Sequence, residues 1–540
     1  MGAVWPQRYV LVGNSLVWSA VLAIIPTLLL LYLLAVRRKP SWIAALAGLG
    51  AALVLAIAGY RMSPVLAVSS AADGACFGLF PISWIVFWAL VLYEISVVTG
   101  RFEVIKESIG SVTSDKRIQA LLIAFAFGAF IEGCAGFGTP VAVAAAMMVG
   151  LGFTSLYAST ICMLADTAPV AFGSIGIPII TLAGITGLPL ARLSAVVGRL
   201  SFPFSLCLPA YIILVTSGAT AMLEIWPAVV TCGVVFASIQ FTVSNFLGPQ
   251  LADILSSISA MAALVVLLRF WSPSKTDEHA VEIRAARRRH SAAEIWAAWI
   301  PYMLLVLFVL LWGYPRILAH LDAVSIKFPW PGLHNRIMRM PPVVAAPSKY
   351  GAMFTFTWLS ASGTAAMFAS LLSAVCLRMS PRALWNVLIS VALKLIKPTI
   401  TVSAMLAMAY LMNYSGATGT LGLAFAASGR VFPFFSPLMG WLGVFLTGSD
   451  TSSNALFGNL QVVSATRLGL DPALVASANS VGGVMGKMIS LQSIAVAAAA
   501  TGMPASEQAQ LFRFTLRHSI FLACLVGVEV MLYAYVFHLR

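Results

Sequence analysis

The stretch from Val10 to Val36 carries no charged residue and ends at Arg37-Arg38-Lys39. A helix rises about 1.5 Å per residue, so roughly 20 apolar residues cross the hydrocarbon core of a bilayer. Backbone at that depth must satisfy its own hydrogen bonds, which leaves helices or a closed barrel. Barrel strands alternate apolar and polar residues, and this run does not. It reads as a first spanning helix and not as a secretory leader, because the positive charge follows the apolar segment and no small-x-small cleavage site comes after it. The segments from Ile300 to Trp312 and from Ile520 to Phe537 have the same character, although Glu529 lies inside the latter.

Of the 540 residues, 60% are hydrophobic and 9% are charged, against about 25% charged in soluble chains. Most of the outer surface must therefore face lipid. A span of roughly 20 residues plus short loops predicts about 12–14 crossings. The net charge of +14 is not a nucleic-acid signature, because it sits in loop clusters. Arg37 to Lys39 form one; Arg101, Lys106, Lys116 and Arg117 another; Lys275 with Arg284 and Arg287 to Arg289 a third. Under the positive-inside rule these are cytoplasmic flanks; a lipid- or partner-binding patch is the alternative. That places the N-terminus outside and the segment 271–294 inside.

The seven cysteines are scattered with no CxxC pair, so neither a disulfide framework nor a metal site is expected. The six histidines are read as lying in loops or near span ends, which leaves no intramembrane histidine to act as ligand or relay. No nucleophile–base pair or nucleotide fingerprint occurs. An enzyme is not expected, and proton coupling, if present, falls to carboxylates.

The chain divides into an N-terminal transmembrane half (1–270), a basic cytoplasmic linker (271–294) and a C-terminal transmembrane half (295–540) with a long Pro-rich loop at 313–350. The halves echo each other. "FIEGCAGFGTPVAVAAAMMVGLGF" in the first is matched by "FLTGSDTSSNALFGNLQVVSATRLGL" in the second. Each enters through an apolar helix, breaks at a polar or Gly-rich tip, and resumes. Chance likeness between apolar segments competes with a pair of repeats, read as inverted, with broken or re-entrant hairpins in matching places. Such interruptions point to a transporter's binding site.

Ionisable residues at membrane depth are costly and usually functional. Glu132 precedes "GCAGFGTP", where Gly136 and Gly138 permit a tight turn and Thr139-Pro140 suits a new helix, whose N-terminus is an anion site. Close helix packing is the competing reading. Asp166 lies in "LADTAPVAFGSIGIP", a second candidate break. Arg192 and Arg199 share a helix face; a guanidinium grips a carboxylate bidentately, or both snorkel at a cytoplasmic boundary, the better reading for Arg192. Asn413, Tyr414 and Ser415 can bond a substrate hydroxyl or a neighbouring helix. "GSDTSSN" supplies Ser449, Asp450, Thr451, Ser452 and Asn454. Lys487, in "GGVMGKMIS", needs a counter-charge: Asp450, Glu132 or a substrate anion. Asp73 and Glu94 are less definite.

With those residues in view, the sequence closely resembles the bacterial L-lactate/glycolate permease family over nearly its whole length. The most specific stretches are "FGAFIEGCAGFGTPVA", "TAPVAFGSIGIPI", "WPGLHNRIMRMPP", "NYSG", "GWLGVFLTGSDTSSNALF" and "GGVMGKMIS". The resemblance implies proton-coupled uptake of L-lactate, D-lactate and glycolate across the inner membrane, with no cofactor besides the coupling proton. It also implies an all-α polytopic fold of inverted repeats and, by remote analogy, a homodimer. Glu132, Arg199, Asn413, Ser415, Asp450, Ser452, Asn454 and Lys487 stand where the family pattern has the same residues. The family usually has Asn where Asp166 stands, and commonly Pro where Leu491 stands.

The expected site therefore joins Arg199, Asn413, Ser415, Ser449, Thr451, Ser452, Asn454, Lys487, Gly136, Gly138 and Thr139 on the substrate with Glu132 and Asp450 on the proton. A cation-coupled carrier of another organic anion, such as a dicarboxylate, is the alternative. The expected partners are the small carboxylate and membrane lipid.

Overall fold

The computed structural model describes residues 4–136, 138–273 and 290–537. Most of the basic linker at 271–294 falls outside the described residues. The fold is a helical membrane bundle. Eleven described helices are long and apolar enough to cross a bilayer, or up to thirteen if each of two bent pairs counts as one span. The bent pairs are Leu16–Ala23 with Ile25–Ala35, at 43°, and Ser155–Ala165 with Val170–Thr186, at 64°.

Named contacts sort the helix ends into two sides. Glu94 pairs with Lys394, and His290 with Glu107, so the basic loop at 101–117, the start of helix Pro381–Ser415 and the end of the linker share one side. On the opposite side Trp5–Pro6 pairs in parallel with Ile337–Arg339, which pairs antiparallel with Ser348–Tyr350. Ile326–Pro329 pairs antiparallel with Met353–Phe356. The segment read as a long loop is thus a compact cap, opened by helix Pro315–Asp322. Gln7 fastens it to the bundle, donating to the carbonyls of Asn413 and Tyr414 at 2.8 and 2.9 Å. Asp322 knots its base: Ser325, Lys327 and Ser360 surround its carboxyl and hold it below the usual carboxylate range.

Five successive elements recur. Helices begin at Lys116, Thr139, Ser155, Gly173 and Leu190, and again at Phe432, Asp450, Pro472, Leu491 and Ala505. The two sets embrace reciprocally. Thr139–Gly150 packs on Leu491–Thr501 as Asp450–Leu468 packs on Gly173–Thr186; Ser155–Ala165 packs on Ala505–Tyr535 as Pro472–Lys487 packs on Leu190–Ser217. They run in opposite directions. Ser155, at the start of one broken span, bonds Thr501, at the end of the other (3.2 Å), and Arg192, just past the end of the first, bonds Asp471, at the start of the second (3.1 Å). Small residues make the embrace possible: a Cβ on Gly458, in Asp450–Leu468, would stand 2.6 Å from Leu182 Cδ1 in Gly173–Thr186.

Two expectations change here. Arg192 lies at the cap side and not at the basic boundary, because helices Gly173–Thr186 and Asp450–Leu468 both run towards the cap before their chains reach Arg192 and Asp471. His518 sits in the interior of Ala505–Tyr535, where its Nδ1 meets the Tyr211 hydroxyl. It is the one histidine inside a described span, and short-range sequence position missed it because that helix begins earlier than its apolar run.

Candidate functional site

The polar run at 449–454 is the opening of a helix. Helix Phe432–Thr447 stops at Gly448, whose φ of 72° turns the chain, and Ser449 then N-caps Asp450–Leu468 by accepting from the Ser452 N–H at 3.2 Å. A helix start leaves N–H groups without internal partners, so hydroxyls and a carboxylate belong there. Asp450 is buried, and its Oδ2 accepts from the Ser480 hydroxyl and, at 3.4 Å, from Asn454. Its approach depends on Gly483, where a Cβ would stand 2.6 Å from Asp450 Oδ1.

Asn454 is fully buried one turn behind. Its amide also donates to the Pro178 carbonyl and Ser480 at 3.2 Å each and accepts from Asn479 at 2.9 Å. Asn479 in turn accepts from Gln461 at 3.3 Å. These bonds join Asp450–Leu468 to Pro472–Lys487 and to the Pro178 carbonyl, and they hold Asp450 in one orientation.

Lys487 is the last residue of helix Pro472–Lys487. Its Nζ lies 3.0 Å from Glu132 Oε1 and 3.4 Å from Asp166 Oδ2, with all three side chains at most 7% exposed. Glu132 comes from the end of the span Lys116–Cys134, and Asp166 caps Ser155–Ala165. Gly173 lets Glu132 in, since a Cβ there would stand 2.5 Å from Glu132 Oε1. A buried cation is tolerable only with such partners. Glu132 Oε2, Asp166 Oδ1 and Asp450 Oδ1 have no hydrogen-bond partner among the described residues.

The break after Asp166 is strained. Ser174, Ile175 and Gly176 follow one another at φ 48°, 61° and 77°. Left-handed backbone at a β-branched residue such as Ile175 costs on the order of 1–3 kcal/mol. Ser174 Oγ donates to the Ala135 carbonyl at 3.2 Å, tying the break to the first tip.

These elements enclose a cavity of about 300 Å³. Glu132, Ser174, Ser449 to Ser452, Lys487 and Gln492 line it, and Trp42, Thr401 and the exposed Lys397 bound it on the basic side. A second cavity of about 700 Å³ lies under the cap, where Asp73, Arg339, Tyr350, Asn413 and Tyr414 line it. Helix Gly173–Thr186 reaches from one to the other: Ile177 and Pro178 face the first, Gly184 and Ile185 the second. At 1.5 Å per residue, about 10 Å of packed protein separates them.

The structure thus brings Glu132, Ser449, Asp450, Thr451, Ser452 and Lys487 to one cavity and sets Asn454 directly behind it. Asn413 belongs to the cap-side cavity, where its amide donates to the Ile185 carbonyl at 3.3 Å. Ser415 closes the same helix and bonds the Met412 carbonyl at 3.3 Å. Gly136, Gly138 and Thr139 form the first tip; Gly138 faces Val496, and Gly136 lies against Ser174. Arg199 donates to Asn245 Oδ1 at 3.0 Å, away from both cavities. Ser174, Gln492 and Trp42 were not anticipated. Only Ser174 had a sequence signal, its place inside the Gly/Pro-rich break. Among the described residues, no cluster of His, Cys, Asp or Glu is arranged to hold a metal.

Among solved structures, the chain is similar to the Alcanivorax borkumensis YdaH transporter, at 13% identity, TM-score 0.47 and 86% of each chain covered. It is also similar to Neisseria gonorrhoeae MtrF, at 12% identity and TM-score 0.46, covering 87% of this chain and 83% of MtrF. Likeness at that level carries no functional argument. Sequence relatives are far nearer. The L-lactate permease of Bacillus subtilis (strain 168) is 44% identical, with 99% of both chains covered. That of Escherichia coli (strain K12) is 42% identical, covering 98% of both. The glycolate permease GlcA of the same organism is 40% identical, covering 99% of this chain and 98% of its own. The L-lactate permease family profile matches residues 19–537. With full-length relatives at this identity and a family match from the first spanning helix to the last, the chain belongs to the L-lactate permease family.

Proposed function

We propose that this chain is a secondary active transporter. It takes up L-lactate and related short 2-hydroxy-monocarboxylates, among them D-lactate and glycolate, together with protons across the bacterial inner membrane. The names of the relatives support the substrate class. The observation that carries the coupling is the gathering of acids: Glu132 and Asp166 both pair with Lys487, and Asp450 lines the same small cavity as Glu132 and Lys487. A substrate carboxylate adds a further negative charge to a site already rich in acids. A proton taken up with it restores the balance, and a site closer to neutral moves through low dielectric at lower cost. Lys487 and the free N–H groups at the start of Asp450–Leu468 meet the carboxylate. The hydroxyls of Ser449, Thr451 and Ser452 meet the 2-hydroxyl. The opposed direction of the two repeats supports an inverted pair that exposes the site alternately on either side. A homodimer completes the proposal, to be checked by cross-linking in native membranes.

The test is uptake of radiolabelled L-lactate and glycolate into membrane vesicles under an imposed pH gradient. The expected result is accumulation that a protonophore abolishes, that needs no sodium, and that Glu132→Gln or Asp450→Asn uncouples from the gradient. Sodium-dependent uptake with equal competition by succinate would overturn the reading in favour of a cation-coupled dicarboxylate carrier.

A further inference from the structure

The cap-side cavity is lined by a cation that has no ion-pair partner among the described residues. Arg339 ends the strand Ile337–Arg339 and lines this cavity. Its guanidinium carbon lies 4.9 Å over the Tyr350 ring, a cation–π contact that fixes the side chain without satisfying its donors. Its Nε is buried and has no hydrogen-bond partner among the described residues, and it forms no ion pair with any of them. A guanidinium presents five donors in a fork that fits a carboxylate, so the unmet group on the wall of a roomy cavity points to an exogenous anion.

From Arg339 a short chain of contacts leads to a buried acidic side chain. The Tyr350 ring lies 4.6 Å from the Tyr414 ring, and the Tyr414 hydroxyl donates to Asp73 Oδ2 at 3.3 Å. Asp73 is buried and lines the same cavity. A cation at one end and a carboxylate at the other, with two aromatic rings between, favour a ligand with one negative end and an uncharged remainder. A second carboxylate on the ligand would face Asp73, and like charges out of water repel strongly.

Resting on the reading that the chain carries monocarboxylates, we infer that the cap-side cavity is a separate docking site for the substrate. Arg339 holds the carboxylate there, and Asp73 turns away dicarboxylates. The N-terminal strand is part of the device, since Gln7 anchors the end of the helix that carries Asn413 and Tyr414.

The test compares initial uptake rates for wild type, Arg339→Lys, Arg339→Gln and Asp73→Asn in vesicles of cap-side-out orientation. Arg339→Gln is expected to raise the KM for lactate at least tenfold, with the maximal rate within about twofold of wild type, and to flatten the dependence of uptake on ionic strength. Arg339→Lys should fall between. Asp73→Asn should strengthen inhibition by succinate at least tenfold. A wild-type KM and salt dependence in Arg339→Gln overturns the inference while leaving lactate transport standing; wild-type vesicles that take up no monocarboxylate overturn the transport reading itself. If Arg339→Gln fails to reach the membrane, Val343→Cys decides, because it lines the same cavity and leaves Arg339 intact. Lactate, and not succinate, should protect it from a membrane-impermeant maleimide. Absence of protection overturns the inference.

Discussion

Replacing Lys487 with Gln removes the one positive charge from a cluster in which Glu132 and Asp166 approach to 3.0 and 3.4 Å. At an effective dielectric of about 20, each contact is an attraction of roughly 5 kcal/mol. The net loss is smaller, because an uncompensated carboxylate takes up a proton or draws in water. Removing one partner of a buried pair typically costs about 3–5 kcal/mol. The signature lies in rescue: Lys487→Gln alone should lower the melting temperature of the detergent-solubilised protein by several degrees. Asp166→Asn alone should have a smaller effect, because Glu132 still pairs with the lysine. The double variant should recover a large part of the loss, because only one unpaired carboxylate remains. Thermal unfolding followed by tryptophan fluorescence, on four proteins in one detergent, gives the full cycle. Additive effects, with no recovery in the double variant, would refute the account of Lys487 as the counter-charge that keeps two acids buried.

Gly483→Ala should push the Asp450 carboxylate out of place, since its Cβ would stand 2.6 Å from Oδ1; uptake falls at least tenfold while size-exclusion behaviour stays normal. Asn454→Ala removes the donor shared by Asp450, Ser480 and the Pro178 carbonyl, and the orphaned groups should lower stability by about 1–3 kcal/mol, read as a drop in melting temperature. Thr401→Cys should react with an impermeant thiol reagent only from the cytoplasmic face, because the cavity it lines is bounded by Lys397 on the basic side. The lowered pKa of Asp322 stabilises the cap above the ordinary carboxylate range, and that contribution is lost as pH falls through the folded value. Asp322→Asn should therefore weaken the cap near neutral pH but not in strong acid, as limited proteolysis at the two pH values would show.

The bundle was legible because lipid imposes long uncharged runs, and the two tips were legible because polar residues interrupt them. Ser449 to Asn454 could be singled out from contrast alone. Which side chains meet was harder to read. Glu132, Asp166 and Lys487 are separated by hundreds of residues in part, and nothing local says that two broken helices cross where these three lie. Asn413 had the right chemistry, but helix Pro381–Ser415 spans both cavities, so its depth decided its neighbours and its composition did not. The cap was read as a loop because its strands are three or four residues long and one of them pairs with Trp5–Pro6, far away in sequence.

Asp166 and Lys487 occupy the same step of the two repeats, each at the end of the helix that leads into a break. Two copies of the first half, embracing as the halves do here, would set Asp166 against Asp166. Two copies of the second would set Lys487 against Lys487. Buried like charges a few ångströms apart cannot both stay ionised. Pairing either half with its like would therefore force one of the two groups to give up its charge, a cost that the Lys487–Asp166 pairing avoids.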